Sequence, residues 1–168
     1  MGCDIHAYVE YKEKEDNSNE YWWGFGGQIN PGRDYTMFGI LAGVRYHPKK
    51  GFDPRGIPNH HLSWAANDNL YLYITEDGED DNSTTLEQAK LWGKEIIYDD
   101  DGKPFKVKHP DWHSHSWLTT KELAQAYKWY EEELGHKPGL EYRALLKLMK
   151  ALEDNGKNKV IVVFWFDN

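Results

Sequence analysis

The chain has 168 residues, with 28 Asp and Glu against 20 Lys and Arg, a formal charge of −8 and an aromatic fraction of 15%. That length buries a core without staples, and that charge excludes non-specific nucleic-acid binding and adhesion to an anionic membrane, both of which need a basic surface. The single cysteine, Cys3, excludes an intrachain disulfide, and no apolar run is long enough for a membrane span.

From Cys3 to Tyr11 the residues alternate, which predicts a strand with Cys3, Ile5, Ala7, Val9 and Tyr11 on one face and Asp4, His6, Tyr8 and Glu10 on the other. Lys12 to Glu20 reads as an exposed hairpin loop and Tyr21 to Phe25 as the returning strand. Asp34 caps a predicted helix from about Tyr35 to Val44. Arg45 to Ser63 carries Pro48, Gly51, Pro54, Gly56 and Pro58, so it reads as a long loop of the kind that hosts function. Asn69 to Thr75 alternates as a strand, and Thr84 or Thr85 caps a short helix ending at Trp92. Glu95 to Tyr98 and Phe105 to Val107 form a hairpin over the turn Asp99 to Gly102.

Thr119 or Thr120 caps the next helix, and Thr119 with Glu122 has the capping-box spacing. The helix reaches about Leu134 with Leu123, Ala126, Tyr127 and Tyr130 on one face. A further helix runs from near Pro138 to about Leu152, striped by Leu140, Ala144, Leu145, Leu148 and Leu152. Val160 to Phe166 is apolar on both faces and reads as a central strand. The sum is an α+β fold in one domain over residues 1–168. It has a single, mostly antiparallel sheet with helices packed on it, and its N- and C-terminal strands are adjacent and central.

Three constellations carry groups suited to chemistry. Asp4 and His6 project from one strand face, as an oriented acid/base pair, as ligands of a divalent metal, or as a satisfied polar pair on a sheet surface. His109, Asp111, His113 and His115 alternate, so an extended segment would turn all four one way, toward a metal or merely toward solvent before a helix. Arg33, Arg45 and Arg55 lie in glycine- and proline-punctuated loops near Trp22, Trp23, Tyr35 and Tyr46. They read as a pocket for a phosphorylated aromatic ligand or as surface partners of this chain's many carboxylates. Phosphate-binding glycine loops, a G-x-S-x-G elbow, helical zinc spacings and an EF-hand are absent from the sequence. Cys3 points away from His6 by strand parity and reads as a small buried residue.

The opening block Met1 to His6 is followed by Val9-Glu10, Gly32-Arg33-Asp34-Tyr35 with Phe38, and Leu41 to Arg45. Arg55 to Pro58, His115 to Thr119 and Glu122-Leu123 complete the set. Together these blocks resemble a group of uncharacterised bacteriophage and prophage proteins. The likeness spans most of the chain apart from about Leu70 to Lys108, and Asn59 stands where the pattern has Asp. The resemblance implies a phage origin and expression in the cytoplasm of an infected bacterium. It places Asp4, His6, Arg33, Arg45, Arg55 and Ser116 within shared blocks. The functional expectation is a protein that binds a small phosphorylated, nucleotide-derived ligand and so counters host defence signalling. Its ligand-binding residues would be Arg33, Tyr35, Arg45, Arg55, Trp23, His115 and Ser116. One alternative is a metal-dependent phosphodiesterase or other hydrolase. In that reading Asp4, His6 and His113 would be catalytic, Asp4, His6, His113 and His115 would be metal ligands, and a divalent metal would be the cofactor. Another is an inhibitor that binds a host protein. The sequence leaves enzyme against binder open, and the oligomeric state as well, a homo-oligomer included.

Overall fold

The amphipathic alternation that opens the chain becomes β1 (Ile5–Lys12), and the doubly apolar close becomes β8 (Lys159–Phe166), paired antiparallel along their whole length. The computed structural model describes residues 2–13, 22–157 and 159–168; the expected loop beyond residue 13 and the start of the returning strand at Tyr21 lie outside them. In chain order the remaining elements are β2 (Trp23–Gly24), α1 (Tyr35–Ala42), α2 (Trp64–Leu70), β3 (Tyr71–Ile74) and β4 (Ser83–Thr84). There follow α3 (Leu86–Trp92), β5 (Ile96–Tyr98), β6 (Pro104–Lys108), β7 (His113–Thr119), α4 (Thr120–Leu134) and α5 (Leu140–Asp154). The chain separates into two compact units, Met1–Ala66 with His113–Asn168, and Asn67–Trp112.

The larger unit holds a four-stranded sheet in the order β2-β1-β8-β7. The terminal strands are therefore adjacent and central, as the sequence predicts. One face of this sheet offers Ile5, Ala7, Val9, Val160, Val162, Phe164 and Phe166 to α1, α4 and α5, and these residues share one buried cluster with Phe38, Leu123, Tyr127, Tyr142 and Met149. Burial of this kind stabilises by about 25 cal/mol per Å² of apolar surface. Capping follows the sequence closely. The Asp34 side chain accepts from Met37 N at 3.0 Å, and Thr119 and Glu122 form a reciprocal capping box. The helix α4 buries the expected Leu123, Ala126, Tyr127 and Tyr130. In α5 the buried face is Tyr142, Leu145 and Met149, while Leu140, expected in the stripe, is 65% exposed in the first turn.

Two phenols connect this helical layer to the loop before α1. Tyr130 donates to Asp34 Oδ2 at 2.8 Å, and Tyr142 donates to the Gly32 carbonyl at 3.0 Å. Arg33 is thereby fixed on both sides in sequence.

The smaller unit has its own four-stranded sheet, in the order β4-β3-β6-β5. Leu72, Ala89 and Val107 form its buried centre, with Ile74, Trp92 and Ile96 packed around them. The α+β class holds, but two sheets replace the single sheet expected, with five helices among the described residues. The expected strand from Asn69 begins at Tyr71, because Trp64 to Leu70 is helical. There Asp68 accepts from the Tyr73 hydroxyl at 3.0 Å, and the Asn69 carbonyl accepts from the Trp112 indole at 2.8 Å.

Candidate functional site

The register of β1 against β8 sets His6 opposite Trp165 and Ile5 opposite Phe166, which brings Asp4 against Asp167. The two exchange backbone contacts: Asp167 N donates to Asp4 O at 3.2 Å, and Asp4 N donates to Asp167 Oδ1 at 2.6 Å. Asp167 Oδ2 lies 3.0 Å from His6 Nε2. On the far side of the ring, His6 Nδ1 lies 3.1 Å from Gln28 Nε2, while Gln28 Oε1 accepts from the Tyr8 hydroxyl at 3.3 Å. The polarity of this chain assigns the tautomer. The Gln28 amide nitrogen has only protons to offer, so Nδ1 accepts, the ring proton sits on Nε2, and Nε2 donates to Asp167. The rings of His6 and Tyr8 stack with Trp165 on the same sheet face.

Asp4 is taken by a different partner. Arg33 Nε and Nη2 donate to its two oxygens at 2.9 and 2.8 Å, a bidentate pair about half-exposed to solvent. The Arg33 guanidinium holds the Asp4 carboxyl below the ordinary carboxylate range, against the opposing effect of burial. Gly2 makes room for it: a Cβ there would sit 2.3 Å from Arg33 Nη1. The expected Asp4–His6 pair is therefore replaced by Asp4–Arg33 and His6–Asp167. Charge-assisted bidentate geometry makes Arg33 the stronger partner of Asp4, and the imidazole bonds to Asp167.

Asp167 also anchors the third strand. His113 Nε2 donates to the Asp167 carbonyl at 3.2 Å, and His113 Nδ1 lies 3.0 Å from Ser114 Oγ. Ser114 has φ +50°, in the left-handed region, and the β7–β8 register shifts between His113 and Ser116. The alternation predicted over His109, Asp111, His113 and His115 fails twice: His109 and Asp111 lie in or beside a turn before β7, and the irregularity separates His113 from His115. His113 stacks with Phe166, whose side chain belongs to the helix-covered core, whereas His115 lies 6.0 Å from the ring of Trp165, on the opposite face. Among the described residues, no three His, Cys, Asp or Glu side chains are arranged to hold a metal ion. The set Asp4, His6, His113 and His115 is split between Arg33, Asp167 and the two faces of the sheet.

The other arginines go elsewhere. Arg55 donates to both Glu122 oxygens at 2.7 and 3.0 Å, and its guanidinium carbon lies 5.0 Å from the Trp117 ring centroid. This hydrogen bonding lowers the Glu122 pKa, overcoming burial, with Thr119 adding to it. Arg55 N donates to Ser116 Oγ and Gly56 N to the His115 carbonyl, so this loop is strapped along the edge of β7. Ser116 is fully buried and serves that strap. Arg45 adopts φ +61°, and the buried Cys3 thiol is pushed up in pKa chiefly by that burial, with the nearby Arg45 opposing it. Tyr35 stands partly exposed beside Arg33. Trp23 pairs with Tyr11 at the other end of β1, roughly 20 Å from Asp4 at about 3.3 Å per residue.

Two groups escape the sequence reading. Asp167 is one; its signal was the prediction that the terminal strands are neighbours, which sets it against Asp4. The other is Glu10, on the Asp4–His6 face by parity and fully buried. Its carboxylate accepts from Ser63 N at 2.6 Å and meets His60 Nε2 at 3.0 Å, and the His60 ring stacks on Trp22 with centroids 4.1 Å apart. Trp22, Pro58, His60, Trp117 and Ile161 line a cleft of about 420 Å³ beside it. The chain matches no protein-family model, no curated protein and no solved structure.

Proposed function

We propose that the protein binds a small phosphorylated, nucleotide-derived ligand at the Asp167-centred end of the larger sheet, and that in an infected bacterium this capture counters host defence signalling. The observation that carries the reading is the Arg33–Asp4 pair beside His6, which is held on the Asp167 side chain, with His113 reaching the Asp167 carbonyl from the other face of the sheet. Each imidazole has its second nitrogen on a displaceable side chain, Gln28 or Ser114. A ligand hydroxyl such as a ribose O–H can donate to His6 Nδ1 in place of Gln28, while Arg33 meets the phosphate. Arg33 is already held in place by Asp4, by the Tyr130–Asp34 bond and by the Tyr142–Gly32 bond, so little side-chain entropy is lost when it meets an anion. Tyr35, exposed beside it, offers a ring to a base.

Calorimetry against cyclic and ADP-ribose-type nucleotides tests this. At least one should bind, and Arg33→Ala should weaken it about 10- to 100-fold, the worth of a charged hydrogen bond. Failure of the whole panel, or an Arg33→Ala variant of unchanged affinity, sinks the reading. The inhibitor reading has support of its own in Trp23 and Trp64, which are 58% and 79% exposed and line one shallow cleft of about 340 Å³. A Trp23→Ala/Trp64→Ala protein that still binds nucleotide but loses its effect on the host would favour that second reading.

A further inference from the structure

We infer that Ser114 is a nucleophile, activated by His113, that attacks the phosphorus of a phosphodiester or pyrophosphate in the same ligand class. For its substrate, though not for its chemistry, the inference rests on the proposed function.

Three observations meet at this residue. The first is hydrogen-bond polarity. The Asp167 carbonyl can only accept, so His113 carries its proton on Nε2, and Nδ1 is left to accept the Ser114 hydroxyl proton at 3.0 Å. Nucleophile, base and a third group orienting the base are thus in line, the arrangement that activates a serine. The second is backbone strain. Ser114 and Arg45 are the non-glycine residues with positive φ among those described. Strain of this kind is held only where the surroundings over-determine it, and it clusters at active sites. Here it comes with a register shift that re-aims the side chain out of the strand alternation. The third is access. Ser114 and His113 are both partly exposed, whereas Cys3, Ser63 and Ser116 are buried.

The step balances without any further reagent. Ser114 Oγ forms a bond to phosphorus as its proton passes to His113 Nδ1, and the imidazolium keeps its Nε2–H on the Asp167 carbonyl. The bond from phosphorus to the leaving oxygen breaks, and that oxygen takes the proton from Nδ1. Water, deprotonated by the same nitrogen, then displaces Ser114 from phosphorus and restores the hydroxyl.

The test is reaction of the full chain with an alkyl fluorophosphonate, which needs no knowledge of the natural ligand, read by mass spectrometry of the peptides. The expected result is one adduct, on Ser114. His113→Ala should slow its formation by about 100-fold or more, the usual worth of a general base. Ser114→Gly, which takes φ +50° at no steric cost, should give no adduct while keeping the wild-type circular dichroism. No adduct on the wild type, an adduct on another serine, or an unchanged rate in His113→Ala overturns the inference. Paired with the nucleotide calorimetry, the outcomes separate. Binding without labelling retains capture and removes the nucleophile. Labelling of Ser114 without binding retains the nucleophile and removes the ligand class.

Discussion

Glu10 is the residue with most at stake. A carboxylate with no exposed surface survives only if its oxygens are satisfied, and here a backbone amide and an imidazole satisfy them. Glu10→Ala removes the acceptor of Ser63 N and strands a buried donor, which should cost about 3 kcal/mol. Glu10→Gln keeps the shape and the acceptor for Ser63 and should cost about 1 kcal/mol. Urea denaturation of both variants measures the difference, and equal costs would mean that volume rather than hydrogen bonding holds the site. The position of Glu10 on the Asp4–His6 face was legible from alternation alone. Its partners were not, because Ser63 and His60 come from a loop whose path no local rule specifies.

Among the elements, α1 is the best test of packing against propensity. Gly39 sits inside it, where Ala would gain about 1 kcal/mol of helix propensity. A Cβ at that position would lie 2.5 Å from the Tyr46 carbonyl oxygen, and backbone cannot swing aside as a side-chain tip can. Overpacking of this sort costs about 1–3 kcal/mol, so Gly39→Ala should be destabilising on balance, by about 1 kcal/mol in thermal or urea melts. A stabilised variant would show that the 46 region yields freely. The helix itself was legible, since Asp34 caps it and Gly43 stops it, at φ +67°, one residue before the expected end. The close approach of Tyr46 was not, because it depends on where the chain goes after the helix.

At the scale of the whole molecule, acid should weaken the fold through its arginine-paired carboxylates. Asp4 and Glu122 both have folded pKa values below their unfolded ones. The unfolded chain therefore binds more protons as pH falls, and stability rises with pH across that range. The contribution is complete above the unfolded values, near 4 by reference, and is lost as pH drops through the lower folded values. Glu122, the less exposed of the two carboxylates, carries more of it. Urea midpoints should fall below about pH 4.5. Glu122→Gln keeps a capping-box residue but gives up the charge on Arg55, so its acid limb should be shallower than the wild type's. Superimposable acid limbs would remove Glu122 from this account.

Local rules determined much of this protein from the sequence by itself. The faces of β1, the cap at Asp34, the caps to within one residue at Thr85 and Thr119 and the core stripe of α4 depend on residues two to four positions apart, and they were legible for that reason. The pairing of the terminal strands was legible because the chain begins and ends in a regular strand and the closing one, apolar on both faces, needs buried neighbours. Tertiary structure alone decided the partners. Arg33 reaches Asp4 because Tyr130 and Tyr142, 96 and 110 residues away from their acceptors, hold its loop. His6 finds Asp167 across 161 residues because the β1–β8 register sets the two strand ends side by side. Ser114 left the predicted alternation, and with it the common face of the histidines, because its strand kinks where it meets β8. The division into two sheets was likewise beyond local rules, since strand pattern fixes which face is apolar but not which strand lies alongside.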